Sequence, residues 1–88
     1  MESRRLVARN LKRLRRERRL SQEALALEAE IDRTYVSGIE RSIGNPTIDL
    51  LDRLADTLGT TTAEFFVPIL KTPPMPGLPR GRRSKRRR

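Results

Sequence analysis

The sequence contains neither cysteine nor histidine. Without cysteine the chain can form no disulfide and no thiolate metal site. Without histidine it lacks the usual general base and the commonest metal ligand. Asp49, Asp52 and Asp56 fall on one predicted helix face, but three carboxylates without partners are more simply a solvated surface. We therefore expect a protein that is not an enzyme, with no cofactor and no metal site.

Long apolar runs are also missing. None approaches the ~20 residues that a transmembrane helix needs. The N-terminal stretch carries charge but lacks the apolar segment of a secretion signal. These features predict a cytoplasmic protein without membrane contact, and nothing in the sequence indicates a pocket for a small-molecule ligand.

Aromatic residues make up only 3% of the chain, which is few for stacking on single-stranded bases. Basic residues are abundant, and the net charge is +9. Residues 1–20 hold nine Lys or Arg and two Glu, and residues 71–88 hold eight Lys or Arg and no acid. Residues 21–70, in contrast, hold three Arg and nine acids. This distribution favours a polyanionic partner, although basic ends could also serve solubility alone.

Composition divides the chain into a small domain, residues 1–70, and a tail, residues 71–88. The domain is near the lower size limit for independent folding. The tail has four prolines between positions 73 and 79 and a basic run from 80 to 88. We expect this basic C-terminal tail to be disordered in isolation.

The hydrophobic pattern of the domain predicts an all-α fold with five helices. They cover about residues 3–18, 22–29, 33–41, 48–58 and 62–66. Polar residues that commonly cap helices precede the last four, namely Ser21, Asp32, Thr47 and Thr61. Thr61 and Glu64 have the spacing of a capping box. The buried side is predicted to consist of Val7, Leu11, Leu14, Leu25, Ala26, Ala29, Val36, Ile39, Ile48, Leu51, Leu54, Ala55 and Leu58.

Helices two and three, within residues 21–41, are joined by only Glu30–Ile31–Asp32, as in a helix-turn-helix. Residues 10–66 resemble the lambda-repressor-like, Cro/Xre-type helix-turn-helix family. The resemblance is carried by L-S-Q-E at 20–23, N-P-T at 45–47 and D-R-T-Y-V-S-G-I-E-R at 32–41. The last segment is especially similar to small controller proteins of restriction–modification systems. The resemblance implies a five-helix DNA-binding domain. It also implies that the protein is a transcriptional regulator, repressor or controller-type, that binds a palindromic operator on double-stranded DNA as a homodimer.

The resemblance also implies roles for individual residues. Arg33, Thr34 and Ser37 would contact base edges, for which arginine and hydroxyl side chains are suited. Arg33 could instead contact a phosphate or begin a solvated helix, and Thr34 and Ser37 could be exposed without reading bases. Tyr35 could contact the DNA backbone or lie half-buried against helix two. The residues expected to contact the DNA backbone are Gln22, Tyr35, Arg41 and Asn45.

Arg15 and Glu40 match a pair that joins helix one to helix three in the family, so we expect a structural ion pair. The chain also departs from the family pattern. Ser42 stands where glycine is usual, Gly44 where a basic residue is usual, and Gly38 where many relatives have a long side chain. These departures shift the expected phosphate binding towards helix one and the tail.

The apolar segment 65–70 predicts a dimer contact through Phe65, Phe66 and Ile69. The alternative is that this segment folds back onto helix one of its own chain. The alternative function is a non-specific architectural nucleic-acid-binding protein driven by basic helix one and the tail. The small polar outer face of helix three argues against it, because pure phosphate binding favours lysine and arginine there.

Overall fold

The computed structural model describes residues 2–68, and within that range the fold is all-α with no strand. Its four α-helices are α1 (Glu2–Glu17), α2 (Gln22–Ala29), α3 (Arg33–Glu40) and α4 (Ile48–Leu58). The predicted fifth helix is a short 3-10 helix, Thr62–Phe66, instead of an α-helix. The predictions for the tail and for Ile69 lie outside the described residues.

Side-chain caps explain where three of the helices begin. The Ser21 hydroxyl accepts a hydrogen bond from Ala24 N at 2.9 Å, and the Thr47 hydroxyl accepts one from Leu50 N at 3.0 Å. The Asp32 carboxylate accepts from Thr34 N at 2.9 Å. Each cap pairs an N–H group that has no partner within its own helix. Thr61 makes no such bond, so the predicted capping box is absent.

Residues in the left-handed conformation reverse the chain between helices. Gly59 ends α4 with φ 72°, a conformation that glycine adopts without steric cost. Arg19, Glu30 and Ser42 have φ values of 58°, 60° and 62° and carry side chains. At such positions a side chain costs roughly 1–2 kcal/mol. The turns are therefore held by the packing of the helices that they connect.

One apolar core joins the four α-helices and the 3-10 helix. Ile48 does not belong to it, because its side chain is 74% exposed, and the prediction that it is buried is wrong. It is the first residue of α4, one turn before the buried stripe that begins at Leu51. The core side chains that are completely buried are Leu11, Leu25, Val36, Leu54 and Phe65.

The segment after α4 packs against α1 of its own chain. Phe65 is completely buried there. Its side chain therefore cannot meet a second copy, which corrects the prediction that Phe65 is a dimer contact. Phe66 is 45% exposed and remains available for such a contact.

Candidate nucleic-acid interface

The turn between α2 and α3 is held by local backbone bonds. Glu30 adopts the left-handed conformation, and Ile31 N donates to Ala26 O at 2.9 Å. Ala26 and Ala29 are buried, and their small side chains let α3 approach α2 closely. Val36 of α3 is completely buried in this contact region. The opposite face of α3 is consequently turned outwards.

The outward face of α3 presents four of the predicted DNA contacts. Arg33 and Thr34 are exposed, and Ser37, one turn after Arg33, is half-buried. Tyr35 is 59% exposed. Because this surface carries a guanidinium, two hydroxyls and a phenol, it offers hydrogen-bond donors and acceptors suited to base edges and phosphates.

The Thr34 hydroxyl already has one partner. It donates to Asp32 Oδ1 at 2.9 Å, the same oxygen that caps α3. These hydrogen bonds, first from the Thr34 backbone and then from its side chain, together with the charge of Arg33, hold the pKa of the Asp32 carboxyl below its ordinary value. The Thr34 hydroxyl proton is therefore engaged, whereas the oxygen lone pairs and the methyl group remain open to another partner.

Arg15 and Glu40 form the ion pair that joins α1 to α3. Arg15 Nε lies 2.6 Å from Glu40 Oε2, and Arg15 Nη2 lies 3.0 Å from Glu40 Oε1. The side chains are 11% and 2% exposed. Arg15 Nη1 also donates to Leu20 O at 2.8 Å, which fixes the chain between α1 and α2. The pair therefore anchors α3, and the connection that leads into α2, to α1.

Both partners of this pair have a shifted pKa. The hydrogen bond to Glu40 raises the pKa of Arg15, against the effect of burial. Burial acts to raise the pKa of the Glu40 carboxyl, but hydrogen bonds from Arg15 and Gln22 and the nearby positive charges together hold it below its ordinary value. The pair is therefore fully ionised at neutral pH.

Gln22 connects this ion pair to the outer face of α3. Its Nε2 donates to Glu40 Oε1 at 3.0 Å, and its Oε1 lies 3.5 Å from Arg33 Nη1. The family resemblance implied only a contact with the DNA backbone for Gln22. The structure adds that the Gln22 amide is held by a buried carboxylate and lies beside the guanidinium expected to contact a base.

Two more predicted backbone contacts, Arg41 and Asn45, are exposed around the loop after α3. Gly38 O accepts from Ile43 N and Gly44 N at 2.9 and 3.1 Å, which folds this loop back onto α3. A Cβ added at Gly38 would come no closer than 4.0 Å to Gly44 N. Gly38 is thus not required by packing. It lies in the lining of a groove of about 600 Å³ between α3 and the start of α4.

The basic residues of α1 differ in their surroundings. Arg13 and Arg15 bind carboxylates of the same chain. The arginines of α1 and of the turn after it that are exposed are Arg5, Arg9, Arg16, Arg18 and Arg19.

Within residues 2–68 neither a group of side chains suited to a metal ion nor a helix long and apolar enough to cross a membrane is found.

Known proteins resemble this chain in sequence and in structure. A helix-turn-helix family model matches residues 11–65. The uncharacterized HTH-type transcriptional regulator y4dJ of Sinorhizobium fredii is 40% identical over 73 residues, 83% of this chain and 95% of that protein. The restriction-modification controller protein C.AhdI from Aeromonas hydrophila has a similar structure, with TM-score 0.72 and 33% identity over 75% of this chain and 100% of that one. A C.Esp1396I controller tetramer in complex with its natural 35 base-pair operator matches with TM-score 0.69 and 36% identity, over 75% and 87%.

Proposed function

The chain belongs to the helix-turn-helix family, and from this membership we propose that it is a sequence-specific transcriptional regulator that binds double-stranded operator DNA as a homodimer. The observation that carries the proposal is the outer face of α3. It exposes hydrogen-bonding side chains on a short helix that is capped by Asp32 and anchored through Glu40. A helix presented in this way fits the major groove, where base edges can be distinguished.

Each exposed side chain has a role in this proposal. Arg33 donates in a bidentate manner to a guanine, and Thr34 and Ser37 contact neighbouring bases. Tyr35, Arg41 and Asn45 bind phosphates on either side of the groove. These backbone contacts set the position of α3 but do not discriminate between sequences.

Gln22 has two roles, because α2 begins there. Backbone N–H groups at a helix start attract a phosphate, and the Gln22 amide can join them. The same amide, held by Glu40 at 3.0 Å, limits the positions open to Arg33. We infer that Gln22 couples the phosphate contact to the placement of the base-contacting guanidinium.

A homodimer follows from the small stretch of DNA that one copy can reach. A single recognition helix reads only a few base pairs, and twofold dimers of this family place two such helices about 34 Å apart along the DNA. Phe66 and Val67, which are 45% and 36% exposed, supply apolar surface for the contact between copies.

Selection of bound duplexes from a random pool tests the proposal. We expect a palindromic consensus whose half-sites are about one helical turn apart. An Arg33→Ala protein selected in parallel should lose one defined base preference and keep the spacing. Absence of any enriched sequence with the unchanged protein would overturn sequence-specific binding.

The architectural alternative is supported by the exposed arginines of α1, which would bind any phosphate backbone. Competition between the selected operator and random duplex separates the two functions. A specific regulator prefers its operator by about 10³-fold or more, whereas an architectural binder shows comparable affinities for both.

A further inference from the structure

Asn10 is a completely buried polar residue of α1 to which the proposed function assigns no DNA contact. Its Nδ2 donates to Phe65 O at 2.8 Å and to Val67 O at 2.9 Å. A longer contact of 3.1 Å reaches Leu6 O in the same helix. Because an amide nitrogen carries two hydrogens, the two shortest contacts account for both of them.

The other end of the Asn10 amide is also satisfied. Its Oδ1 accepts from Arg13 Nε at 3.3 Å and from Arg13 Nη2 at 3.0 Å. Carbonyls only accept and a guanidinium only donates, so a single orientation of the amide fits its surroundings. A carboxylate at position 10 would place an oxygen against the two carbonyl oxygens. An apolar side chain there would leave the buried Phe65 carbonyl without this donor.

These bonds determine which side of the final described segment faces outwards. The carbonyls of Phe65 and Val67 are held against α1, and the Phe65 ring is in the core. The side chains of Phe66 and Val67 remain 45% and 36% exposed. These two adjacent side chains give the end of the described segment an exposed apolar surface.

A crevice of about 130 Å³ lies beside this apolar pair. Val7, Ile39, Pro46 and Leu51 contribute to its wall, and Phe66 forms one edge. The surface therefore combines a projecting apolar segment with an adjoining apolar recess. A twofold contact buries the same surface of both copies, so the projecting segment of each copy can enter the recess of the other. The lining of the crevice also includes the polar residues Ser3, Arg4 and Asn45. Arg13 and Glu64, which contact each other at 3.4 Å, are not part of it.

We propose that Asn10 is a positioning residue for a twofold contact between two copies of this chain. By binding the carbonyls of Phe65 and Val67, it holds Phe66 and Val67 where the second copy meets them. The proposal rests on the homodimer of the proposed function, and it adds that dimer formation depends on a buried amide within the basic helix α1.

Sedimentation equilibrium of the full chain tests this role, with folding followed separately by far-UV circular dichroism. Asn10→Asp and Phe66→Ala should each raise the monomer–dimer Kd by tenfold or more. In the Asn10→Asp/Phe66→Ala double variant the Kd should stay close to that of Phe66→Ala, because both changes remove the same contact. Fully additive effects, or an unchanged Kd for folded Asn10→Asp, would overturn the proposal.

A second variant covers the case in which Asn10→Asp does not fold. Asn10→Ser carries no charge, and its short hydroxyl cannot reach both carbonyls. We expect its monomer to show altered Val67 methyl resonances together with the weakened dimer. Glu17→Gln is the matched control, since Glu17 is the other carboxylate that Arg13 contacts, at 3.5 Å, on the exposed side of α1. It should leave both the Kd and the Val67 resonances unchanged, and equal effects of the two substitutions would contradict the role of Asn10.

The outcomes also separate this proposal from the proposed function. If the unchanged chain is monomeric both free and on its selected operator, the homodimer itself is wrong. If the unchanged chain dimerises and the folded Asn10 variants dimerise equally well, only the role of Asn10 is wrong.

Discussion

Removal of the Glu40 carboxylate would leave a nearly buried guanidinium without its anionic partner. In Glu40→Ala the Arg15 side chain, 11% exposed, loses the partners of its Nε and Nη2 atoms and keeps only Leu20 O. Breaking a buried pair on one side typically costs about 3–5 kcal/mol. A domain of this size has a free energy of unfolding of ~3–10 kcal/mol, at roughly 0.05–0.15 kcal/mol per residue. We therefore expect Glu40→Ala to lose a large part of its stability.

Urea unfolding followed by far-UV circular dichroism measures this loss, and Glu64→Ala is the matched control. Glu64 also binds an arginine of α1, but at 3.4 Å and with side chains 33% and 42% exposed. Exposed pairs of this kind contribute about 0.2–1 kcal/mol. The reasoning would be refuted if both substitutions reduced the free energy of unfolding by the same amount.

The same pair predicts the direction of the acid dependence. The pKa of Glu40 is lower in the folded chain than its ordinary value, so the unfolded chain binds more protons as the pH falls. The stabilisation is complete above the unfolded pKa, about 4.3, and is lost as the pH falls through the folded value. Urea midpoints should decline below about pH 4.3 and decline less steeply in Glu40→Gln. Asp32, whose pKa is also lowered, should keep part of the slope in that variant.

Three further predictions concern the loop, the recognition helix and the tail. Ser42→Gly should raise the free energy of unfolding by about 0.5–1 kcal/mol, because glycine adopts φ 62° without steric cost but loses more entropy on folding. Arg33→Lys should lose about 1–3 kcal/mol of discrimination at one base position in binding assays, because lysine lacks the bidentate fork. Deletion of residues 79–88 should weaken binding to all duplexes alike and reduce the slope of log K against log salt by ~0.9 for each phosphate that the tail neutralises.

Each of these has a result that would count against it. An unchanged or lower free energy of unfolding in Ser42→Gly would mean that the steric cost at φ 62° does not exceed the entropy that glycine loses on folding. A uniform loss of affinity in Arg33→Lys, without a change in base preference, would make Arg33 a phosphate contact. Equal salt slopes for the truncated and full chains would exclude a role for the tail in phosphate binding.

Helix starts were the most predictable part of the fold. The caps at Ser21, Asp32 and Thr47 act on N–H groups two or three residues away, so the order of residues is enough to locate them. The capping box at Thr61 failed, although it has the same local signature. The Glu64 carboxylate that should complete it lies 3.4 Å from Arg13, on a helix that the local sequence does not bring near.

The candidate site also combines features that local patterns predict with contacts between distant parts of the chain. Exposure of Arg33 and Thr34 on α3 follows from the helical spacing of the apolar residues Val36 and Ile39. The spacing left Tyr35 open, either on the DNA backbone or half-buried against α2. The resemblance to a known family was needed to pair Arg15 with Glu40, because no periodicity relates residues on different helices. Neither source indicated that Gln22 would lie between Glu40 and Arg33.

Local patterns in this chain are therefore sufficient for the helices, their apolar faces and the position of the helix-turn-helix. These features depend on interactions over a few residues. Packing alone decides which polar side chains are buried, because their partners come from distant parts of the chain. Nothing in the sequence pattern distinguishes Asn10 from the other polar residues of basic helix α1. In the structure it binds carbonyls that lie 55 and 57 residues away along the chain. Phe65 and Phe66 are adjacent and chemically identical, and only their placement against α1 puts one ring in the core and leaves the other exposed.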